Sequence, residues 1–165
     1  MDRFDPLLSL LAFRLVGLAR EHPLLDSTIA GHSRYLYDHG NMGFTVQSGA
    51  TLYMVVAQNA DTLTEREFVD KLMALQIAAM KKSLRSEETT GATVGFASMA
   101  RWSIARHIPI LPPRVSFMAA HLGAAADGSS HLGATYDHRV LTGFDVAQLP
   151  SELSQPPDPP HGEKN

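Results

Sequence analysis

Cysteine is absent from the 165 residues. That excludes disulfides, thiolate metal sites and a cysteine nucleophile, and it matches the reducing environment of a cytoplasm, the expected location. Charge is sparse at 19% of residues, with 14 Lys and Arg against 17 Asp and Glu, a net of −3. So even a balance offers no field to gather nucleic acid or an anionic membrane, and neither is expected as a partner. The apolar stretch Leu7 to Leu18 is too short to cross a bilayer. Asp2 and Asp5 around Arg3, with Arg14 in mid-run, exclude a secretory signal. The eight histidines are scattered rather than spaced as ligands, so no metal is expected.

What remains is ordinary globular material, 44% hydrophobic, enough for one domain with a real core. Asp5-Pro6 reads as a cap and first position of a helix running to about Arg20-Glu21, stopped by Pro23. Ser33 to Tyr37 and Phe44 to Gln47 read as short strands. Leu52 to Ala57 is an unbroken apolar run of strand length, suited to a central position buried on both faces. Thr64-Glu65-Arg66-Glu67 is a capping box. It opens a helix whose apolar face carries Phe68, Leu72, Leu75 and Ala79, with Val69, Met73 and Met80 alongside. Thr93 to Ala97, Val115 to His121 and His131 to Tyr136 complete the strands, and the last two flank a hairpin-like loop. A helix from Gly143 is expected to be truncated by Pro150. Residues 1–150 thus form the domain, and 151–165 a proline-rich tail with little to bury, expected to be disordered.

The segment with chemical content is Tyr136-Asp137-His138-Arg139-Val140-Leu141-Thr142-Gly143. A strand delivers a histidine, between two charged residues, into a turn before a helix. Imidazole titrates close to working pH, and a nearby carboxylate can fix its tautomer, so His138 is the candidate general base. The bland alternative is that Asp137 and Arg139 only stabilise the turn.

This segment resembles the Asp-His-Arg-x-x-Asp/Asn-Gly motif of the dihydrolipoamide acyltransferases of 2-oxoacid dehydrogenase complexes, departing from it at Thr142 alone. Arg20-Glu21-His22-Pro23-Leu24-Leu25, Asn41-Met42-Gly43-Phe44-Thr45-Val46, Asn59-Ala60-Asp61, Thr93-Val94, Ser98-Met99 and Pro109-Ile110 are similar to further stretches of the same family, in collinear order. The resemblance implies an α/β fold of the chloramphenicol acetyltransferase type: a two-layer sandwich with a mixed sheet flanked by helices, here N-terminally truncated because the chain opens at the buried helix. It further implies assembly as a homotrimer or larger oligomer, with the site in a channel between subunits. Coenzyme A would be the substrate and a lipoyl group on a separate carrier domain the other thiol. His138 would take the thiol proton, a serine from across the interface would bond the oxyanion, and Asp137, Arg139 and Thr142 would orient the site.

Aligned from Pro109 backwards, however, Ala97 stands at the oxyanion serine. Ser98, one residue along, serves only if the strand slips or bulges, because neighbouring side chains point to opposite faces. Arg101, Arg106 and Arg114 are candidates for the phosphates of coenzyme A, or are merely solvated. Two further readings stay open. One is a non-catalytic subunit that assembles with a full-length acyltransferase-like chain. The other, a small-molecule acetyltransferase of the chloramphenicol type, is disfavoured by Asp137, where that group usually has histidine.

Overall fold

In the computed structural model, which describes residues 6–102, 104–123, 125 and 127–155, helix α1 spans Pro6–Glu21. A proline at the first position loses no intrahelical bond, since first-turn N–H groups have no carbonyl to meet. Its expected cap, Asp5, lies outside the described residues. The helix turns Ala12, Leu15, Val16, Leu18 and Ala19 into the core. A 3₁₀ turn, Pro23–Asp26, then leads into a separate antiparallel hairpin of β1 (Ser27–Ala30) and β2 (Ser33–Leu36).

The main sheet is built from β3 (Met42–Ser48), β4 (Thr51–Ala57), β5 (Val94–Met99), β6 (Phe117–Leu122) and β7 (Leu132–Tyr136), in the order β4-β3-β5-β6-β7. β3, β5 and β6 run parallel, while β4 and β7 lie antiparallel to their neighbours. Helix α2 (Glu65–Met80) carries the expected capping box between Thr64 and Glu67 and buries Phe68, Leu72, Leu75 and Ala79. Short helices α3 (Gly143–Ala147) and α4 (Leu149–Ser154) follow β7.

Alternation along the strands divides the sheet into two faces. Met42 and Phe44, Val94 and Phe96, and Phe117 and Ala119 share one apolar cluster with α1 and α2. Phe44 stacks on Phe96 with ring centroids 5.5 Å apart. Gly95, Ala97, Met118 and Ala120, the residues between, point to the other side. A mixed sheet with helices against it is the α/β two-layer architecture expected.

Three expectations need correction, and one strand escaped the sequence. The run Leu52 to Ala57 is an edge strand, not a central one: Leu52 is 58% exposed, and only Val55, Val56 and Ala57 are buried. Apolar continuity reports burial, here beneath α2, and says nothing of position in the sheet. Met73 and Met80 are exposed by 39% and 46%, so the apolar face of α2 is narrower than its sequence suggests. β1 carries no apolar alternation and went unpredicted. Finally, Pro150 does not end the helical region. It sits in the first turn of α4, where proline is tolerated, and Leu149 and Leu153 reach the core. Arg14 donates to the Glu152 carbonyl at 3.0 Å, and His22 Nε2 lies 2.9 Å from the Glu152 carboxylate. Helix α4 (Leu149–Ser154) thus packs on the same core; residues 156–165 of the expected tail lie outside the described residues.

Candidate active site

β7 sets the approach to His138. Leu132, Ala134 and Tyr136 pack against the core, and the strand ends where the Asp137 amide donates to the Ser116 carbonyl at 2.9 Å. Asp137 then builds the turn. Its carbonyl accepts from Val140 N and Leu141 N at 2.9 and 3.0 Å. Its carboxylate accepts from Arg139 N at 3.0 Å and from the Arg139 guanidinium at 2.6 Å. Such a side-chain bond to the backbone two residues on is a favoured use of aspartate in turns. The hydrogen bonds from the Arg139 side chain hold the Asp137 carboxyl below the ordinary carboxylate range. With Val140 and Leu141 buried, His138 is left exposed at the tip, its ring 5.5 Å from that of Tyr136. Asp137 thus shapes the backbone that carries the histidine, and within the chain its carboxylate is engaged by Arg139 rather than by the imidazole.

Thr142 has a clear local task. Its hydroxyl accepts from Asp145 N at 3.3 Å and donates to the Asp145 carboxylate at 2.7 Å, which also accepts from Thr142 N. This capping box starts α3, and aspartate or asparagine caps a helix equally well. We expect Thr142→Ala to lower the unfolding free energy by about 1 kcal/mol and Thr142→Asp to preserve it, measured by urea denaturation. Equal stability of all three would show that the cap is idle.

Ser98 stands in an unbroken ladder. Ala97 pairs with Ala120, Ser98 with His121 and Met99 with Leu122, without the slip or bulge that would bring Ser98 to the side of Ala97. Its hydroxyl lies 3.1 Å from His121 Nδ1 and accepts from Ala100 N at 3.2 Å. His121 is only 5% exposed and stacks near Phe96. Sequence reasoning passed over His121 as one of several scattered histidines. A lone imidazole in an apolar strand, facing a serine across the ladder, was the available signal.

Register also fixes how these groups are separated. His121 pairs with Leu132, and Phe117 with Tyr136. Ser98 and His121 therefore sit at one end of the sheet and His138 beyond the other: His121 and the Phe117–Tyr136 pair are about 13 Å apart along β6 at some 3.3 Å per residue, and His138 lies past Tyr136. Arg114 precedes β6 and shares the His138 end, while Arg101 and Arg106 lie exposed in the loop after β5. In that loop His107 Nδ1 is buried with no partner among the described residues, and burial pushes its imidazole pKa down. A cleft lined by Val56, Lys71, Leu75 and Arg85 lies beside β4, separated from β7 by β3, β5 and β6. Ligand atoms of Glu21, His22 and Glu152 converge within 4.8 Å, though His22 and Glu152 already serve as the tie between α1 and α4.

The remaining motif residues hold the fold. Asn41 Nδ2 donates to Gly91 O, and its Oδ1 accepts from Asn59 N. Asp61 accepts from Gly40 N at 2.9 Å and faces Arg20 and His39 at 3.6 and 3.4 Å. Beside them Asp26 is 2% exposed, and neither carboxylate oxygen has a hydrogen-bond partner among the described residues. Burial raises its pKa from 3.8 to about 6; the neighbouring Thr93 hydroxyl and Arg20 offset part of this, and Asp61 adds to it. Thr93 is close enough to act on the charge but stands outside bonding geometry.

The sequence profile of the family described as 2-oxoacid dehydrogenases acyltransferase (catalytic domain) matches residues 7–155. The chain belongs to this family. Among curated proteins, component 5 of the chloroplastic pyruvate dehydrogenase complex of Arabidopsis thaliana, a dihydrolipoyllysine-residue acetyltransferase, is 26% identical over 147 residues, covering 81% of this chain and 32% of the relative. The chain thus spans about a third of that relative's length. Among solved structures, a probable dihydrolipoamide acetyltransferase from Listeria monocytogenes superposes with a TM-score of 0.79 at 18% identity, covering 88% of this chain and 67% of the other. The dihydrolipoamide acetyltransferase of Azotobacter vinelandii gives 0.79 at 22%, covering 88% and 65%. A chloramphenicol acetyltransferase gives 0.60 at 12%, covering 89% and 74%. These superpositions establish the acyltransferase fold for the present member of the family.

Proposed function

We propose that the chain transfers an acyl group between coenzyme A and a dihydrolipoyl thiol presented by a separate carrier domain, at a site formed between copies of the chain in a homotrimer or larger assembly. Family membership supports the reaction class. The observation that carries the assembly is the separation of His138 from the β5 end of the sheet: one chain does not bring its own two polar ends together, whereas neighbouring chains can.

The chemistry follows from the groups present. An alkyl thiol is mostly protonated at neutral pH. His138, exposed on a turn anchored at both sides, accepts that proton as the sulfur attacks the thioester carbonyl. The tetrahedral intermediate collapses with cleavage of the old carbon–sulfur bond, and the imidazolium returns the proton to the departing thiolate. Arg114, on the same end of the sheet, is the cation best placed for the phosphates of coenzyme A. Ala97 offers no hydroxyl to the oxyanion, and Ser98 turns its own toward His121, so we expect slower turnover than a placed donor would give; such a donor is worth about 10²–10³ in rate.

Dilution tests the reading. Acetyl exchange between acetyl-coenzyme A and dihydrolipoamide should fall in rate per chain as protein concentration drops below the assembly's dissociation range, followed in parallel by sedimentation. A constant rate per chain through dissociation would place the whole site within one chain and end the interface reading. No turnover by an intact oligomer would favour the second reading, a non-catalytic subunit, to which Ala97 and the engagement of Asp137 and Thr142 in local structure already lean.

A further inference from the structure

The backbone just before β6 is held in an unusual way. Arg114 has φ of +68°, a left-handed conformation that a residue with a long side chain adopts only when its surroundings enforce it. Two hydroxyl-to-carbonyl bonds between this segment and the hairpin region supply the restraint. The Tyr37 hydroxyl, just beyond β2, donates to the Arg114 carbonyl at 2.9 Å. The Ser116 hydroxyl, in a residue only 1% exposed, donates to the Ser27 carbonyl of β1 at 2.5 Å. Between them Val115 is 5% exposed and its amide donates back to Pro112 O at 3.2 Å. The segment 114–116 is therefore tied to the hairpin by two hydroxyl-to-carbonyl bonds in a tract that makes no ladder of its own.

The same segment carries the His138 turn. The Ser116 carbonyl accepts from Asp137 N at 2.9 Å, the first anchor of the turn, and Phe117 pairs with Tyr136 immediately beyond. The second anchor is the burial of Val140 and Leu141. A shift of Ser116 would pass directly to Asp137, and from there to the imidazole one residue on.

We propose that Tyr37 and Ser116 are positioning residues for His138: their hydroxyls pin the strained 114–116 backbone, whose carbonyl at Ser116 sets where the His138 turn begins. The proposal rests on the reading of His138 as the base and adds the device that aims it. Neither hydroxyl touches substrate; each acts through the backbone. Misplacement of a reacting group by about an ångström costs up to ~10²-fold in rate, and the loss of one of two restraints should cost less, about tenfold.

The test uses Tyr37→Phe and Ser116→Ala in the full chain. Each is expected to lower kcat for acetyl exchange by about tenfold; KM for acetyl-coenzyme A should stay within about twofold in Ser116→Ala, whereas Tyr37→Phe, which frees the Arg114 carbonyl, is read on kcat. The double variant should lose less than the product, since both act on one segment. A second readout does not need turnover: the His138 ring resonances, assigned by their disappearance in His138→Gln, should shift or broaden in both variants. Unmoved resonances in both, with only a lowered melting temperature, would overturn the proposal and leave the hydroxyls as general fold supports. Should the parent chain show no exchange, the catalytic reading falls by itself. The resonances would still decide whether the clamp aims the imidazole.

Discussion

Replacing His138 with alanine is expected to slow acetyl exchange by about 10²–10⁴-fold, the range that a positioned general base supplies, with little change in KM. Both parts of that expectation come from where the side chain stands. It is exposed at the tip of a turn whose geometry is set by Asp137, Arg139, Val140 and Leu141, so truncating it leaves every hydrogen bond of the turn in place. Its ring meets that of Tyr136 at 5.5 Å, a contact on the surface with modest weight for stability. Urea denaturation of the variant should therefore overlay that of the parent, and a lost rate cannot be blamed on a lost fold. A variant that keeps more than half the parental rate would remove His138 from the chemistry.

The other large effect is on stability. At pH 8, Asp26→Asn should be more stable than the parent by about 2–3 kcal/mol, because the shift from 3.8 to about 6 corresponds to roughly that differential at 1.36 kcal/mol per pH unit. The sign follows from proton counting. Between pH 4 and 6 the folded chain holds a proton on Asp26 that the unfolded chain has released, so stability falls as pH rises through this window. The favourable state is fully present below the unfolded value and lost above the folded one. Asparagine keeps the shape and removes the charge, so the variant should match the parent near pH 4 and part from it by pH 7. At about 2–4 °C per kcal/mol for a chain of this size, the difference in melting temperature at pH 8 is roughly 4–12 °C. An unchanged pH slope in the variant would show that Asp26 is not the buried carboxylate responsible.

Both predictions concern residues that the sequence exposed unequally. His138 was legible because the residues around it form a spaced motif, and the helices were legible from their caps: Thr64 with Glu67, and proline at the first position of α1. Pro150 misled because the same residue that stops a helix from within can also begin one. The placement of Leu52 to Ala57 failed for a related reason, since burial under one helix yields the same apolar run as burial in the middle of a sheet. Asp26 gave no signal at all. Its isolation arises from Gly40, Thr93, Arg20 and Asp61, brought together from distant stretches of chain. The Tyr37 and Ser116 hydroxyls donate to the backbone carbonyls of Arg114 and Ser27, and any residue supplies a carbonyl, so those partners leave no mark in the sequence. What the sequence concealed was thus mainly contact to main chain and burial of charge. Thr142 illustrates the converse: a departure from the motif that its local chemistry explains, as one helix-capping residue in place of another.

The bonds from Arg14 and His22 to Glu152 span most of the chain, the first joining residues 138 positions apart. During synthesis α1 therefore emerges first and must wait for α4 before that flank is closed. At about 5–20 residues per second, the interval is roughly 7–30 s, through which Leu149 and Leu153 are not yet available to cover their part of the core. Until α4 has been made, the nascent domain is thus open to premature association along α1.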